Sequence, residues 1–185
     1  MEKTINIVAM SGSLRKGSFN TMLLNAAVDL MPEGAKIEIV EIRDLPLFDA
    51  DLESNMPQVV LDLKAKIKAA DGILFVSPEY NYSIPGGLKN AIDWVSRPYG
   101  DNSFEGKPAA IMSASSGMLG GARMQYHLRQ TFVFLNMHAF NRPEIMVPFA
   151  NTKFDERGTL IDQPTIDHIK PFLESFVEWT KRFMQ

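Results

Sequence analysis

The 185-residue sequence contains no cysteine. That absence excludes disulfides, thiolate zinc sites, iron–sulfur clusters and a cysteine nucleophile, so any redox chemistry has to be carried by a bound group. Histidine is scarce as well. His127, His138 and His168 stand far apart, without the neighbours that a metal-ligand pattern requires, and no metal site is expected. An excess of charge of one sign is also missing. The 22 acidic and 19 basic residues leave a formal charge of -3, with neither a basic stripe for nucleic acid nor an acidic tail. No apolar run approaches the ~20 residues of a membrane span. The charged residues 1–4 lead straight into a strand-like run, which reads as a chain without a signal peptide and predicts a cytoplasmic protein. Its partners are expected to be small molecules or other copies of itself.

What is present is an alternation of two periodicities. Short apolar runs over 5–10, 37–42, 72–76, 109–112 and 144–147 read as buried strands. Between and after them, apolar residues at three- and four-residue spacing predict helices over 20–32, 57–70, 86–94, 121–136 and 164–183, the first capped by Asn20. Residues 151–163 read as a loop or small hairpin turning at Arg157-Gly158. With 45% hydrophobic residues and no linker or repeat, the whole of 1–185 is expected to form one domain. The alternation predicts an α/β fold, a five-stranded parallel sheet with helices on both faces. Ligands of such sheets bind outside the carboxyl ends of the strands.

The loop after the first strand carries Ser11, Gly12, Ser13, Leu14, Arg15, Lys16, Gly17, Ser18, Phe19 and Asn20. Glycines permit close backbone approach to an anion, hydroxyls and helix-start amides donate to it, and Arg15 can bind its oxygens in bidentate fashion. Gly12 and Gly17 have the glycine spacing of a nucleoside-triphosphate loop, but Ser18 and Phe19 stand where that motif needs Lys and then Ser or Thr. G-x-G-x-x-G is absent. The alternative for the loop taken alone is a plain strand-to-helix connection with solvated cations, which its position after the first strand disfavours.

After the third strand, Ser77-Pro78-Glu79-Tyr80-Asn81-Tyr82 offers aromatic surface, an amide and rigid turns, a set suited to a planar heterocycle. Each tyrosine by itself is as readily a packing residue. Together with an anion cradle on a neighbouring strand, the pair of loops suits one ligand carrying a phosphate and a ring. After the fourth strand, Ser113, Ser115 and Gly117 lead into Gly120-Gly121. This loop either borders the same ring, where its amides would stabilise negative charge on a reduced heterocycle, or is a flexible connection.

The Gly12-Ser13-Leu14-Arg15 loop, the Pro78-Glu79-Tyr80-Asn81-Tyr82 loop with its continuation to Ala91, and Gly120-Gly121-Ala122-Arg123 together resemble the NADPH-dependent FMN reductase family, in particular its bacterial chromate and quinone reductase branch. The resemblance covers nearly the whole chain. It implies a flavodoxin-like fold, bound FMN, NADPH or NADH as donor, and hydride transfer through flavin N5 to quinones or to chromate, azo dyes, ferric chelates or free flavin. It further implies that Ser11, Ser13, Arg15, Ser18 and Asn20 hold the FMN phosphate, with Leu14 and Phe19 in the same loop. Pro78, Glu79, Tyr80, Asn81 and Tyr82 would line the isoalloxazine largely through backbone groups, and Ser113, Ser115 and Gly117 would approach it from the fourth-strand loop. A homotetramer or dimer is implied, with Tyr82, Arg123, Tyr126 and Glu144 at subunit contacts near the site.

Two other functions compete. A flavodoxin-like electron carrier shares the fold, but such carriers tend to be markedly acidic, and -3 is mild. A serine hydrolase would need a G-x-S-x-G elbow, and Ala114 stands where the glycine before Ser116 is required.

Overall fold

The computed structural model describes residues 3–184. Six parallel strands form one sheet: β1 (Ile5–Ser11), β2 (Ala35–Val40), β3 (Gly72–Val76), β4 (Pro108–Ala114), β5 (His138–Ala139) and β6 (Ile145–Val147), in the order β2-β1-β3-β4-β5, with β6 also paired to β4. The helices are α1 (Phe19–Asp29), α2 (Gln58–Ala69), α3 (Gly86–Val95), α4 (Ala122–Leu135) and α5 (Gln163–Lys181). This is the flavodoxin-like arrangement.

The continuous apolar runs follow from burial on both faces. Successive strand residues point to opposite sides. Val8, Met10, Ile73, Phe75, Ala109 and Ile111 therefore join a core beneath α2, α3 and α4, while Ile7, Ala9, Leu74, Val76, Ala110 and Met112 join one beneath α1 and α5. A buried lysine of α2 borders the first core. Lys64 is buried, and its ammonium donates to the carbonyls of Val95, Arg97 and Asp101, closing the carboxyl end of α3. Burial pushes its pKa below the usual lysine value, and the Asp101 carboxylate opposes that shift.

The strand expected over 144–147 is present as β6, and a further two-residue strand outside the expected set, β5, precedes it. β5 pairs with the start of β4, at Pro108 and Ala109, and β6 with its end, at Met112 to Ala114. Between them Phe140 turns its ring into the aromatic cluster of Phe172, Phe176 and Trp179. Arg129 there takes the place of a ladder partner, donating to the Phe140 carbonyl at 3.1 Å. A two-residue strand carries too little periodicity to be read from sequence. The cap of α1 is reassigned. Ser18, not Asn20, accepts the amides of Asn20 and Thr21, at 3.2 and 3.4 Å. The hairpin expected near Arg157-Gly158 is present, with Phe154 bridged to Leu160.

Candidate active site

β1, β3 and β4 lie side by side, so the three unusual loops leave the same end of the sheet. At the first, the Gly12 amide continues the ladder to the Val76 carbonyl at 2.9 Å. No side chain fits here. A Cβ on Gly12 would stand 2.1 Å from Ser77 Oγ and 2.7 Å from Ser77 Cβ. The following turn is fixed by hydroxyls: Ser11 Oγ accepts the Ser13 amide and lies 3.1 Å from Thr21 Oγ1, and Ser13 Oγ accepts the Arg15 amide. The amides of Leu14, Lys16 and Gly17 find no partner among the described residues. The Arg15 and Lys16 side chains are exposed. Arg43, just beyond β2, donates to the Leu14 carbonyl at 2.5 Å and braces the loop from the neighbouring strand. A glycine cradle with open amides and an exposed guanidinium fits a phosphate dianion.

The Asn20 carboxamide is engaged at the end of the sheet. The residue is 3% exposed, and its carboxamide meets one residue across the sheet end, donating to the Ala114 carbonyl at 2.9 Å and accepting the Ala114 amide at 2.8 Å. β3 stops pairing with β4 at Met112, where Ser77 still donates to its carbonyl before Pro78 carries the chain away. Ala114 points its backbone groups to that same vacated side, two residues on. The carboxamide replaces the missing strand and ties the cradle to the end of β4. The ring of Phe19 likewise turns from the loop to stack on Phe154 at 5.9 Å.

In the second loop, Tyr80 and Ser83 exchange backbone hydrogen bonds of 3.1 and 2.9 Å around Asn81 and Tyr82, both left-handed at φ 50° and 64°. This is a two-residue type I′ turn. Asparagine tolerates it, whereas tyrosine is strained there by about 1 kcal/mol or more. The Arg123 guanidinium, 3.5 Å over the Tyr82 ring, holds the strained residue in place. Arg123 in turn donates through Nε to Glu79 Oε1 at 2.6 Å. Glu79 Oε2 accepts the amides of Arg123 and Met124, capping an α4 whose own N-cap, Gly121, has no side chain. The Glu79 carboxylate is thus committed to the helix, and only its backbone remains for a ligand. His127, one turn further along α4, lies 3.1 Å from Ser83 Oγ and pins the turn.

In the third loop Ser115 and Gly117 border a pocket of about 400 Å³, closed on the other side by Asn81, Tyr82 and Arg123. Ser113 does not reach it. It is fully buried, and its hydroxyl donates to the Gly120 carbonyl at 2.6 Å. Met118 and Leu119, outside the expected set, form the exposed lip of the pocket. Thr21, Arg43 and Gln125 were missed as well. Arg43 follows β2, and only the pairing of β2 with β1 brings it to the loop. Of the four residues expected at subunit contacts, Tyr82 and Arg123 stand together and Tyr126 is exposed on α4. Glu144 precedes β6, its carbonyl facing His168 Nε2 at 3.1 Å.

Residues 5–152 match the model of the NADPH-dependent FMN reductase family. An NAD(P)H-dependent FMN reductase of Pseudomonas aeruginosa is 46% identical over 183 residues, 98% of either chain. A quinone reductase of Escherichia coli is 45% identical over 186 residues, again 98% of each. Among solved structures, the flavoenzyme NAD(P)H:(acceptor) oxidoreductase of Paracoccus denitrificans superposes with a TM-score of 0.90 at 35% identity, covering 97% of this chain and 98% of that one.

Proposed function

The chain belongs to the NADPH-dependent FMN reductase family, and on that premise we propose that it is an FMN-dependent oxidoreductase passing electrons from NAD(P)H to quinones and other small acceptors. The observation that carries this reading is the adjacency of two cradles, an anion site with open amides after β1 and a 400 Å³ pocket with an aromatic wall between the β3 and β4 loops. One molecule with a phosphate and a planar ring spans them. FMN, when bound, would supply the two-electron chemistry between the nicotinamide and an acceptor.

The residues of the chain bind and orient. Ser11, Ser13 and Ser18 hydroxyls with the free amides of Leu14, Lys16 and Gly17 hold the phosphate, and Arg15 neutralises it. The backbone of Pro78 to Asn81 meets one side of the ring, and Ser115 and Gly117 meet its edge. Tyr82, kept left-handed by Arg123, sets how close an acceptor approaches. No protein acid, base or nucleophile is called for, which accords with a cysteine-free chain. Among the described residues no helix is long and apolar enough to cross a membrane. A cytoplasmic homotetramer or dimer, with Tyr82, Arg123, Tyr126 and Glu144 at its contacts, is part of the same reading. The exposed Val133 and Phe134 on α4 supply apolar area for such a contact. The electron-carrier alternative is not favoured, since the relatives are named as reductases.

The visible spectrum of the protein reconstituted with FMN tests this. Flavin absorbance bleaches when NADPH is added without oxygen and returns on addition of benzoquinone. Bound flavin that resists NAD(P)H would favour the carrier, and failure to bind FMN would remove the assignment. Arg15→Ala is expected to weaken FMN binding by about 1.5–3 kcal/mol, roughly ten- to 150-fold, through loss of a charge-assisted contact. Flavin fluorescence quenching measures it, and an unchanged affinity places the phosphate elsewhere.

A further inference from the structure

Gln125 is fully buried in the first turns of α4. Its Nε2 donates to Ser113 Oγ and to the Ile145 carbonyl, both at 2.8 Å, and the Ser113 hydroxyl passes the constraint on to the Gly120 carbonyl. One carboxamide therefore joins α4, the end of β4 and the start of β6. Its Oε1 is buried with no partner among the described residues, a cost that a leucine of similar size would avoid. The fold keeps the amide for its donors.

What those donors fix is the Gly120-Gly121 turn. Both glycines are left-handed, at φ 60° and 92°, and both are packed to the limit. A Cβ on Gly120 would stand 2.7 Å from the Met146 carbonyl carbon, and one on Gly121 2.8 Å from Ser113 Cβ. A close-packed turn transmits a displacement of Ser113 rather than absorbing it. Directly before it run residues 115–119, where the amides of Ser116, Met118 and Leu119 have no partner among the described residues and Ser115, Gly117, Met118 and Leu119 line the pocket.

We propose that Gln125 is a positioning residue for the flavin. Acting through the Ser113 hydroxyl, it holds the Gly120-Gly121 turn and so aims the free amides of the 115–119 loop at the ring edge that becomes negative on reduction. The inference rests on the FMN reading above. Fixed donors at a site of developing charge favour the reduced form more than the oxidised one.

The test is Gln125→Leu beside Ser113→Ala and the double variant, all reconstituted with FMN. Quenching gives the affinity for oxidised FMN, and reductive titration against a redox dye gives the midpoint potential. Gln125→Leu is expected to weaken oxidised FMN about tenfold and reduced FMN a further tenfold, which lowers a two-electron potential by about 30 mV. Ser113→Ala shifts the potential in the same direction, and the double variant shifts it no further than Gln125→Leu alone, because the two residues act in series. A fall in melting temperature with affinity and potential both unchanged overturns the proposal and leaves Gln125 a purely structural residue. Should Gln125→Leu not fold, Ser113→Ala decides alone, an unaltered potential being the negative result. Wild-type protein that takes up no FMN overturns this inference and the family function together; wild-type binding with unchanged variants overturns this inference only.

Discussion

Gly12→Ala is expected to reduce FMN affinity at least a hundredfold and to lower the melting temperature. The added methyl would lie 2.1 Å from Ser77 Oγ and 2.7 Å from Ser77 Cβ, with Leu88 Cδ2 at 3.2 Å. Ser77 is fully buried and has nowhere to retreat, so the ends of β1 and β3 must separate. Overpacking of this kind costs about 1–3 kcal/mol, or roughly 2–10 °C in a chain of this size. The larger effect is expected on the ligand, because the displaced backbone is the one proposed to offer its amides to the phosphate. Combining Gly12→Ala with Ser77→Gly isolates the cause. The double variant is expected to regain most of the affinity in a quenching titration, and a double variant as defective as the single one would rule out steric conflict with Ser77.

Asn20→Ala is expected to have the largest effect on stability. It removes both partners of the Ala114 backbone in a buried place where no strand stands to replace them. An unsatisfied buried group costs about 1–3 kcal/mol, so the pair represents on the order of 2–5 kcal/mol in chemical denaturation. FMN affinity should fall as well, since the cradle and the β4 loop are no longer held together at the sheet end. Asn20→Asp separates the two bonds, keeping an acceptor for the Ala114 amide while placing a negative charge against its carbonyl. It is expected to be as damaging as the alanine or more so at neutral pH. Retention of full stability in Asn20→Ala would mean that the carboxamide is dispensable and that the loops are fixed independently.

Both predictions rest on residues whose importance, but not whose action, is legible in the sequence. Gly12 can be picked out because a glycine directly after a buried strand and before serines and an arginine is a local pattern, and close backbone approach is a local property. That it is packed against Ser77, 65 positions along the chain, follows only from the adjacency of β1 and β3. Asn20 stands out as a polar residue at a helix start, where capping is the ordinary expectation. Instead Ser18 is the cap, and the amide of Asn20 reaches a residue 94 positions away.

The same division runs through the whole chain. Its amino-acid sequence by itself determined the class of fold, the three glycine- and serine-bearing loops at the strand ends and, through the lack of cysteine, the exclusion of thiol chemistry, because apolar periodicity, glycine placement and composition are properties of short segments or of none in particular. It also carried a family pattern specific enough to imply FMN. Only the tertiary structure decided which polar side chains find partners within the frame: Glu79 caps α4, Ser113 and Gln125 are buried against each other, Phe19 packs on Phe154, and Arg43 arrives from β2. A serine, glutamate or glutamine has the same hydrogen-bonding capacity wherever it stands. Its partner is set by which strands are neighbours and where each stops, and in a parallel sheet those neighbours come from distant parts of the chain.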